Sequence, residues 1–394
     1  MKIAIAAGGR FHALHLAHQL EKRGALAKLF ISGYSKSDKN YIKQSFVCNN
    51  NFNNYLDYFF AKFKINKFIN KSNYYVFKDN LFDYWLNKQI DKLNKSNINI
   101  DIFVGWAHFF LHSIPNIKKT GAKIILESGS CHILEQQKLI QSEYDKFGIK
   151  YPAINKKNID KILCEYEQAD YIMTISDFVY KSFLKQNINS KKLLKVTCGI
   201  DIEFFETPNS PKSEFSKFKV IFVGLLCLRK GVQYLIQAWQ KLNFTPDQAE
   251  LILVGNLQQD LSLFLKQTKL PKNIIFYGST DKFNLKKLYQ SADLFVLPSI
   301  EDGFGMVIGE AMACGLPVIC SDHTAATDLI ENKVHGFIVP AGNVEILAEK
   351  ILYVYQNREQ AQFMGQLAKG HVQKFSWDNY GENIFKAYKN ILTF

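Results

Sequence analysis

The sequence of 394 residues lacks any apolar run that approaches the ~18 residues needed to span a bilayer. Met1 to Ala7 leads directly into an apolar strand pattern, so no secretory signal is indicated. The seven cysteines are odd in number and form no C-x-x-C pair, so neither a disulfide framework nor a zinc site is indicated. Together these absences predict a cytoplasmic protein.

The first loop also lacks the glycine fingerprint of dinucleotide-binding proteins. Residues 2–23 predict a strand, a glycine turn and a helix, which is a Rossmann-like order. The fingerprint G-x-G-x-x-G would require glycines where Arg10 and Ala13 stand, so an NAD-binding site is not expected. Three histidines recur every third residue: His12, His15 and His18. Such positions drift around a helix, which disfavours a shared metal ion.

Acidic residues are scarce in the first half of the chain. Residues 1–200 contain 30 Lys and Arg against 16 Asp and Glu, whereas residues 201–394 contain 19 against 20. Such a positive field attracts anionic surfaces, although a Lys- and Asn-rich composition without any binding role is an alternative. The segment Tyr55–Lys71 interleaves aromatic residues with lysines and suits an anionic membrane surface or a helix packed on a sheet. No nucleic-acid-binding module is recognised, so nucleic acid is not an expected partner.

The sequence does contain a strand, loop, helix and strand between Leu294 and Ser321. The loop residues are Asp302, Gly303, Phe304 and Gly305. Glu310 follows Asp302 by eight positions, about a turn and a half into a helix that starts near Gly305. Glycine amides and a helix N-terminus favour phosphate, and carboxylates accept hydrogen bonds from sugar hydroxyls. The stretch therefore predicts a site for a phosphate-bearing sugar, or alternatively a capped helix with solvated acids.

A second cluster follows the strand that begins at Lys219. Its loop starts at Gly224 and ends with Arg229 and Lys230, directly before a helix from Val232. Paired cations beside a helix N-terminus suit a diphosphate group, and a solvated basic loop is the alternative.

The phrase EDGFGMVIGEAMACGLPV resembles the signature of the family 4 retaining glycosyltransferases, which belong to the GT-B superfamily and to the glycosyl transferases group 1. The resemblance implies that Asp302 contacts the donor sugar and Glu310 the ribose of the nucleotide. It also implies that Lys230 contacts the donor pyrophosphate. Leu225 stands where the family usually has an arginine, so Arg229 would supply the second cation.

The fold that this resemblance implies is α/β, with two Rossmann-like domains and a donor and acceptor cleft between them. The expected acceptor domain covers residues 1–202, the linker residues 203–218 and the donor domain residues 219–375. Residues 376–394 are expected to cross back onto the first domain. The resemblance is close from Lys219 to Gly342, recognisable from Tyr171 to Asp201 and weak over residues 35–160.

Further site residues are expected from the same resemblance. Gly9 and Arg10 lie in the first loop, which faces the donor phosphates or the acceptor in similar proteins. Thr280 lies in the loop that meets the nucleotide base. His132 is a candidate residue of the acceptor site, because it is the imidazole nearest the place where many relatives have a histidine and this chain has Glu127 or Ser128. A structural histidine is the alternative.

The function implied is a retaining, metal-independent hexosyltransferase without a cofactor. Its donor would be a UDP or GDP sugar and its acceptor a glycan or lipid-linked sugar, as in surface polysaccharide biosynthesis at the inner face of the membrane. Two alternatives stay open: a nucleotide-sugar epimerase of the same fold, and a non-catalytic nucleotide-sugar binding subunit. The binding subunit is considered because Leu225 replaces the family's usual arginine and Asp302 replaces the glutamate that is commoner in the family.

Overall fold

The computed structural model describes residues 1–35, 38–39, 41–52, 55–56, 62, 71–96, 98–150, 154–206 and 217–393. Within them the chain forms two parallel sheets. The strands of the first sheet are β1 (Ile3–Ala7), β2 (Leu26–Ser32), β3 (Val47–Asn50), β4 (Ile102–Trp106), β5 (Lys123–Ser128), β6 (Tyr171–Thr174) and β7 (Leu193–Lys195). Those of the second are β8 (Phe218–Val223), β9 (Ala249–Val254), β10 (Ile274–Gly278), β11 (Leu294–Leu297), β12 (Val318–Ser321) and β13 (Gly336–Val339).

Helices connect the strands and cover the sheets. The helices that follow strands of the first sheet are α1 (Ala13–Lys22), α2 (Lys71–Asn94), α3 (Ile114–Lys118), α4 (Ile133–Lys146), α5 (Lys156–Gln168), α6 (Asp177–Lys185) and α7 (Ile202–Phe205). Those after strands of the second sheet are α8 (Val232–Leu242), α9 (Gln259–Leu265), α10 (Lys282–Ser291), α11 (Met306–Ala313), α12 (Ala326–Leu329), α13 (Val344–Gln356), α14 (Arg358–Val372) and α15 (Trp377–Thr393).

The two sheets share one topology. The strand orders are β3-β2-β1-β4-β5-β6-β7 and β10-β9-β8-β11-β12-β13. The central strands are apolar along their whole length because helices cover both sides of a parallel sheet, and all five residues of β1 are buried. In each sheet the order reverses beside its first strand, between β1 and β4 and between β8 and β11. The loops at such reversals are the usual ligand sites of α/β proteins.

The last helix packs on the helix layer of the first sheet. The Trp377 ring stacks on the His15 ring with 3.8 Å between centroids and 3° between planes. A Cβ at Gly199 would lie 2.4 Å from the Trp377 ring, so only glycine lets the chain pass beneath it. The Ile200 amide donates to the Phe375 carbonyl at 2.8 Å. These contacts hold α15 against α1 at the other end of the chain.

The α/β prediction with two Rossmann-like sheets is confirmed. Residues 207–216 of the expected linker lie outside the described residues, as does most of the Lys- and Phe-rich segment 55–71, so its proposed membrane contact stays a prediction. In the described part of the chain, no helix combines the length and the hydropathy that a membrane span requires.

Candidate functional site

A cavity of about 620 Å³ lies between the two sheets, at the carboxyl ends of their strands. Loops after β1, β4 and β5 form one wall, with Phe11, His12, Trp106 and Glu127 among its residues. Loops after β8 and β11 form the other wall, which includes Gly224, Lys230, Asp302, Phe304 and Gly305. The structure thus brings five of the twelve predicted site residues to one cavity.

The loops after β8 and β11 are tied together by their backbones. The amides of Ile300 and Glu301 both donate to the Arg229 carbonyl, at 2.9 and 3.2 Å. Gly231 has a left-handed φ of 72°, and a Cβ there would lie 1.9 Å from the Pro298 carbonyl oxygen. Only glycine permits this approach, which aligns the side chains of the basic loop with those of the acidic loop.

Two ion pairs join these loops. Lys230 Nζ pairs with Asp302 at the cavity wall, where each side chain is 13% exposed. Arg229 Nη1 lies 2.9 Å from Oε2 of Glu301, whose side chain is fully buried. Burial alone would raise the pKa of Asp302, but the charges of Lys230 and Arg229 outweigh it and lower that pKa. The four charges cancel, and the pairs hold Asp302 ionised at the cavity.

Arg229 is turned away from the predicted diphosphate position. It does not line the cavity, because Glu301 binds its guanidinium. Burial favours a lower pKa for Arg229, but the Glu301 and Asp302 carboxylates raise it above its usual value. Glu301 also accepts hydrogen bonds from the Cys131 amide at 3.2 Å and from Gln136 at 3.0 Å. No role for Glu301 is predicted from the sequence, since its partners lie far away along the chain.

The loop Asp302–Gly305 approaches the first sheet closely. A Cβ at Gly303 would lie 2.0 Å from the Gly129 carbonyl oxygen, and Ser176 Oγ donates to the Gly303 carbonyl at 2.6 Å. Gly303 therefore contacts the opposite wall and does not line the cavity. Gly305, with a left-handed φ of 75°, is the N-cap of α11, and the first helical residues Met306 and Val307 line the cavity. Amides at such a helix start are available to an anion.

Glu310 and Thr280 lie away from this cavity. Tyr289 Oη donates to Glu310 Oε2 at 3.2 Å, and burial raises the pKa of Glu310 to about 7. Glu310 is five residues beyond Gly305, on the side of α11 that meets α10, and Lys282 at the start of α10 lowers that pKa in opposition to burial. Thr280 precedes Lys282 by two residues. The two predicted acids thus lie at different places along the cleft.

Three other predicted residues have structural partners. Arg10 donates to Asp38 at 2.5 Å and does not line the cavity. Gly9 lies against the Phe11 ring. His132 is a buried N-cap whose Nδ1 accepts from the Leu134 amide at 3.3 Å, and its ring packs on Tyr166 and Phe183. These contacts fit the alternative of a structural histidine, because the His132 side chain packs against α4 and its neighbours.

The three regularly spaced histidines, His12, His15 and His18, do not all face one site in the structure. His15 bonds to Tyr41 Oη at 2.6 Å, and His18 stacks on the Tyr41 ring. His12 alone reaches the cavity, where its Nε2 lies 2.9 Å from Glu127 Oε1. Sequence reasoning missed this pair because its members are 115 residues apart.

Comparisons with known proteins agree with this architecture. Residues 204–371 match the family model described as glycosyl transferases group 1. An uncharacterized glycosyltransferase of Methanocaldococcus jannaschii is 33% identical over 173 residues, 43% of this chain and 44% of that protein. The O-antigen chain mannosyltransferase B of Escherichia coli is 27% identical over 256 residues, 61% of this chain and 66% of that protein. The chain thus spans less than two thirds of the length of either relative.

A solved structure extends the comparison to the whole fold. Anabaena HepE in complex with UDP superposes with a TM-score of 0.65 at 17% identity, covering 99% of this chain and all of that one. At this identity the likeness concerns the fold alone. Residues 204–371 thus resemble the group 1 glycosyltransferases, and the two parallel sheets have the GT-B fold.

Proposed function

We propose that the protein is a retaining glycosyltransferase that moves a hexose from a nucleotide-diphosphate sugar to a glycan or lipid-linked acceptor. The observation that supports it best is the pair of Lys230 and Asp302 at the wall of the cavity between the sheets. The start of α11 lies beside this pair. A cation, an ionised carboxylate and free helix amides in one cavity match the phosphates and hydroxyls of an activated sugar.

The leaving diphosphate would be stabilised mainly by Lys230 and the amides at Met306 and Val307. An ammonium group has three donors, so Lys230 can keep its bond to Asp302 while it binds a phosphate oxygen. Asp302 would then orient a sugar hydroxyl. Preorganised charges of this kind usually contribute more to catalysis than any other single effect. Glu310 would meet the ribose further along the cleft, near the loop of Thr280.

The relatives support a nucleotide donor and a polysaccharide product. HepE is described in complex with UDP, and the Escherichia coli relative is named as an O-antigen chain mannosyltransferase. We extend these properties to this chain as part of the proposal, with UDP or GDP as the nucleotide. In our mechanism the acceptor attacks from the side of the leaving group, a donor phosphate oxygen takes its proton, and neither a metal ion nor a cofactor is used.

The first experiment compares Lys230→Ala with Lys241→Ala on a panel of UDP and GDP sugars. Lys241 is an exposed lysine near the end of α8, paired with Glu345 on the surface. We expect one donor to raise the melting temperature of the wild type and of Lys241→Ala, but not of Lys230→Ala. Hydrolysis of that donor should fall at least tenfold in Lys230→Ala, which corresponds to about 1.4 kcal/mol. Unchanged donor binding and turnover would contradict the proposal.

Product analysis distinguishes the alternatives. A transferase releases free nucleotide, and release increases with acceptor, whereas an epimerase returns an altered nucleotide sugar without any acceptor. A binding subunit produces neither. Retention is tested by the anomeric configuration of the new bond, read by NMR from its one-bond C–H coupling. An inverted product would contradict the retaining mechanism while leaving the transferase assignment in place.

A further inference from the structure

The pair of His12 and Glu127 has no role in the donor site described above. His12 follows β1 and is 8% exposed, and Glu127 stands at the end of β5 and is fully buried. Both line the cavity on the wall opposite Lys230 and Asp302. An ionisable group at such a depth requires partners, since burial without them is costly.

The orientation of the His12 ring is set from several sides. Its Nε2 lies 2.9 Å from Glu127 Oε1, and its ring lies 4.9 Å from that of Trp106 and 6.4 Å, edge to face, from that of Tyr380. An ionised carboxylate only accepts hydrogen bonds, so Nε2 of a neutral His12 has the proton. Nδ1 then presents a lone pair and makes no hydrogen bond to another described residue. In this tautomer the imidazole is oriented to accept a hydrogen bond from a ligand in the cavity.

Glu127 adds a second observation that points to a ligand. Its Oε2 is buried and has no hydrogen-bond partner among the described residues, although the side chain lines the cavity. Buried carboxylate oxygens normally have a partner. The hydroxyls of Tyr380 and Tyr388, which feel the Glu127 charge, are also buried without a partner among the described residues, so a bound water or a ligand hydroxyl is the donor expected here. A hydroxyl of a molecule in the cavity could donate to His12 Nδ1.

The pair lies close to the donor side across the cavity. Glu127 precedes Gly129 by two residues, and the Gly129 carbonyl is in contact with Gly303, the neighbour of Asp302. The surroundings on the first wall are aromatic, with Phe11, Trp106 and Phe109 lining the cavity beside His12. Apolar rings with a few polar groups suit the faces and hydroxyls of a sugar.

We propose that His12 and Glu127 form the acceptor site, in which Nδ1 of His12 accepts a hydrogen bond from a hydroxyl of an acceptor sugar. Glu127 is a positioning residue that fixes the tautomer and the orientation of His12. This inference rests on the proposed function and assigns its second substrate to residues on the first sheet. The sugar would be presented on an apolar carrier, whose first carbons would pack against the aromatic wall.

The test uses octyl β-glucoside and octyl α-mannoside, below their micelle concentrations, as acceptor probes. Binding to the full chain in the presence of UDP or GDP is measured by saturation-transfer NMR. We expect signals on the sugar protons of at least one glycoside with the wild type, and at least a fivefold loss with His12→Ala. The thermal shift produced by the nucleotide should remain. His18→Ala, on the same helix but away from the cavity, is the matched control.

Glu127→Gln distinguishes this role from a purely structural one. The amide can either accept from Nε2 of His12 or donate to it, and donation moves the ring proton to Nδ1, so Glu127→Gln no longer fixes the tautomer that leaves Nδ1 as an acceptor. Glycoside binding should therefore fall in Glu127→Gln although its size and shape are retained. This variant also decides the question if His12→Ala fails to fold.

Three outcomes would overturn the inference: wild type that binds neither glycoside, His12→Ala that binds as wild type does, or Glu127→Gln that binds normally. Nucleotide-sugar turnover, measured in the same samples, separates this result from the proposed function. Glycoside binding through His12 without any turnover would overturn the transferase proposal and keep the site. Turnover with glycoside binding that does not depend on His12 would overturn the site alone.

Discussion

At the scale of single residues, the two ion pairs beside the cavity differ in their access to a ligand and in the number of their hydrogen-bond partners. Lys230 and Asp302 are both at the cavity wall, where a ligand can reach them. Glu301 is fully buried and binds three groups, the Arg229 guanidinium, the Cys131 amide and the Gln136 side chain. A buried acid with this many donors is costly to alter, because each donor would lose its partner.

Glu301→Gln should therefore destabilise the protein strongly. It removes the carboxylate that binds the partly buried Arg229 guanidinium, and removal of one member of a buried pair typically costs about 3 kcal/mol. Urea unfolding measures this loss. Lys22→Met, which breaks an exposed pair with Asp378, should cost less than about 1 kcal/mol and serves as the control. Equal losses in the two variants would contradict the role assigned to Glu301.

Glu310 should make stability depend on pH. Burial raises its pKa from 4.5 to about 7, so between these values the folded protein holds a proton that the unfolded chain has released. The free energy of unfolding therefore falls as pH rises through this interval. Glu310→Gln removes the effect, so its free energy of unfolding should rise relative to that of the wild type by about 1 to 3 kcal/mol between pH 5 and pH 8. Glu349 is exposed, so Glu349→Gln should show the same pH dependence of stability as the wild type. A stability difference between Glu310→Gln and the wild type that does not change with pH would contradict the prediction.

At the scale of elements, the βα loops meet across the cleft through backbone contacts. The loop before α11 touches the loop after β5 where Gly303 meets Gly129, and Ser176 at the start of α6 bonds to the same glycine. Side chains cannot enter this contact without moving one loop. The position of α11 relative to the first sheet therefore depends on a glycine that a donor-site signature alone would assign to phosphate binding.

Gly303→Ala should separate these two loops. The new Cβ would lie 2.0 Å from the Gly129 carbonyl oxygen, so one loop must shift, which costs about 1 to 3 kcal/mol. The shift should also lower nucleotide-sugar turnover at least tenfold, since Asp302 is adjacent. Gly129→Ala is the matched control, because its Cβ would meet nothing within 4 Å. Thermal unfolding and turnover that are alike in the two variants would contradict the steric argument.

At the scale of the whole molecule, the last helix and the first helix hold the two ends of the chain together. Gln19 donates to Asp378 at 3.0 Å, and Tyr380, Ile384, Tyr388 and Ile391 on α15 are buried. Tyr380 also lies beside His12, so the C-terminal helix forms part of the support for the proposed acceptor site. Stability of α15 and geometry of the cavity are therefore coupled.

Trp377→Ala should weaken this attachment. It removes the ring that stacks on His15 and fills the space over Gly199. Because Trp377 is only partly buried, its loss should cost about 3 kcal/mol at most, the lower end of the range for buried aromatic side chains. Chemical denaturation measures the change, and limited proteolysis near residue 376 should become faster. Phe363→Ala, an aromatic residue on α14 that is 59% exposed, is the control and should have little effect. Resistance to proteolysis equal to that of the wild type would contradict the prediction.

The sequence by itself determined the α/β class, the order of strand, loop and helix around Lys230 and Asp302, and the resemblance of residues 219–342 to the group 1 glycosyltransferases. Apolar runs of strand length and glycine-marked loops are local patterns, which is why β8, β11 and the start of α11 were predicted within one residue. Lys230, Asp302 and Gly305 lie in loops that follow adjacent strands, and parallel topology alone brings such loops together.

Only the tertiary structure decided which side chain each charged group meets. Arg229 binds Glu301 and Arg10 binds Asp38, whereas His12 reaches Glu127, 115 residues away, and Glu310 meets Tyr289 on a neighbouring helix. A residue type shows that a charge or an imidazole is present, but its direction depends on rotamers and on packing between elements. The pattern along the chain contains no record of those contacts, because burial and pairing arise only when the two sheets and the last helix come together.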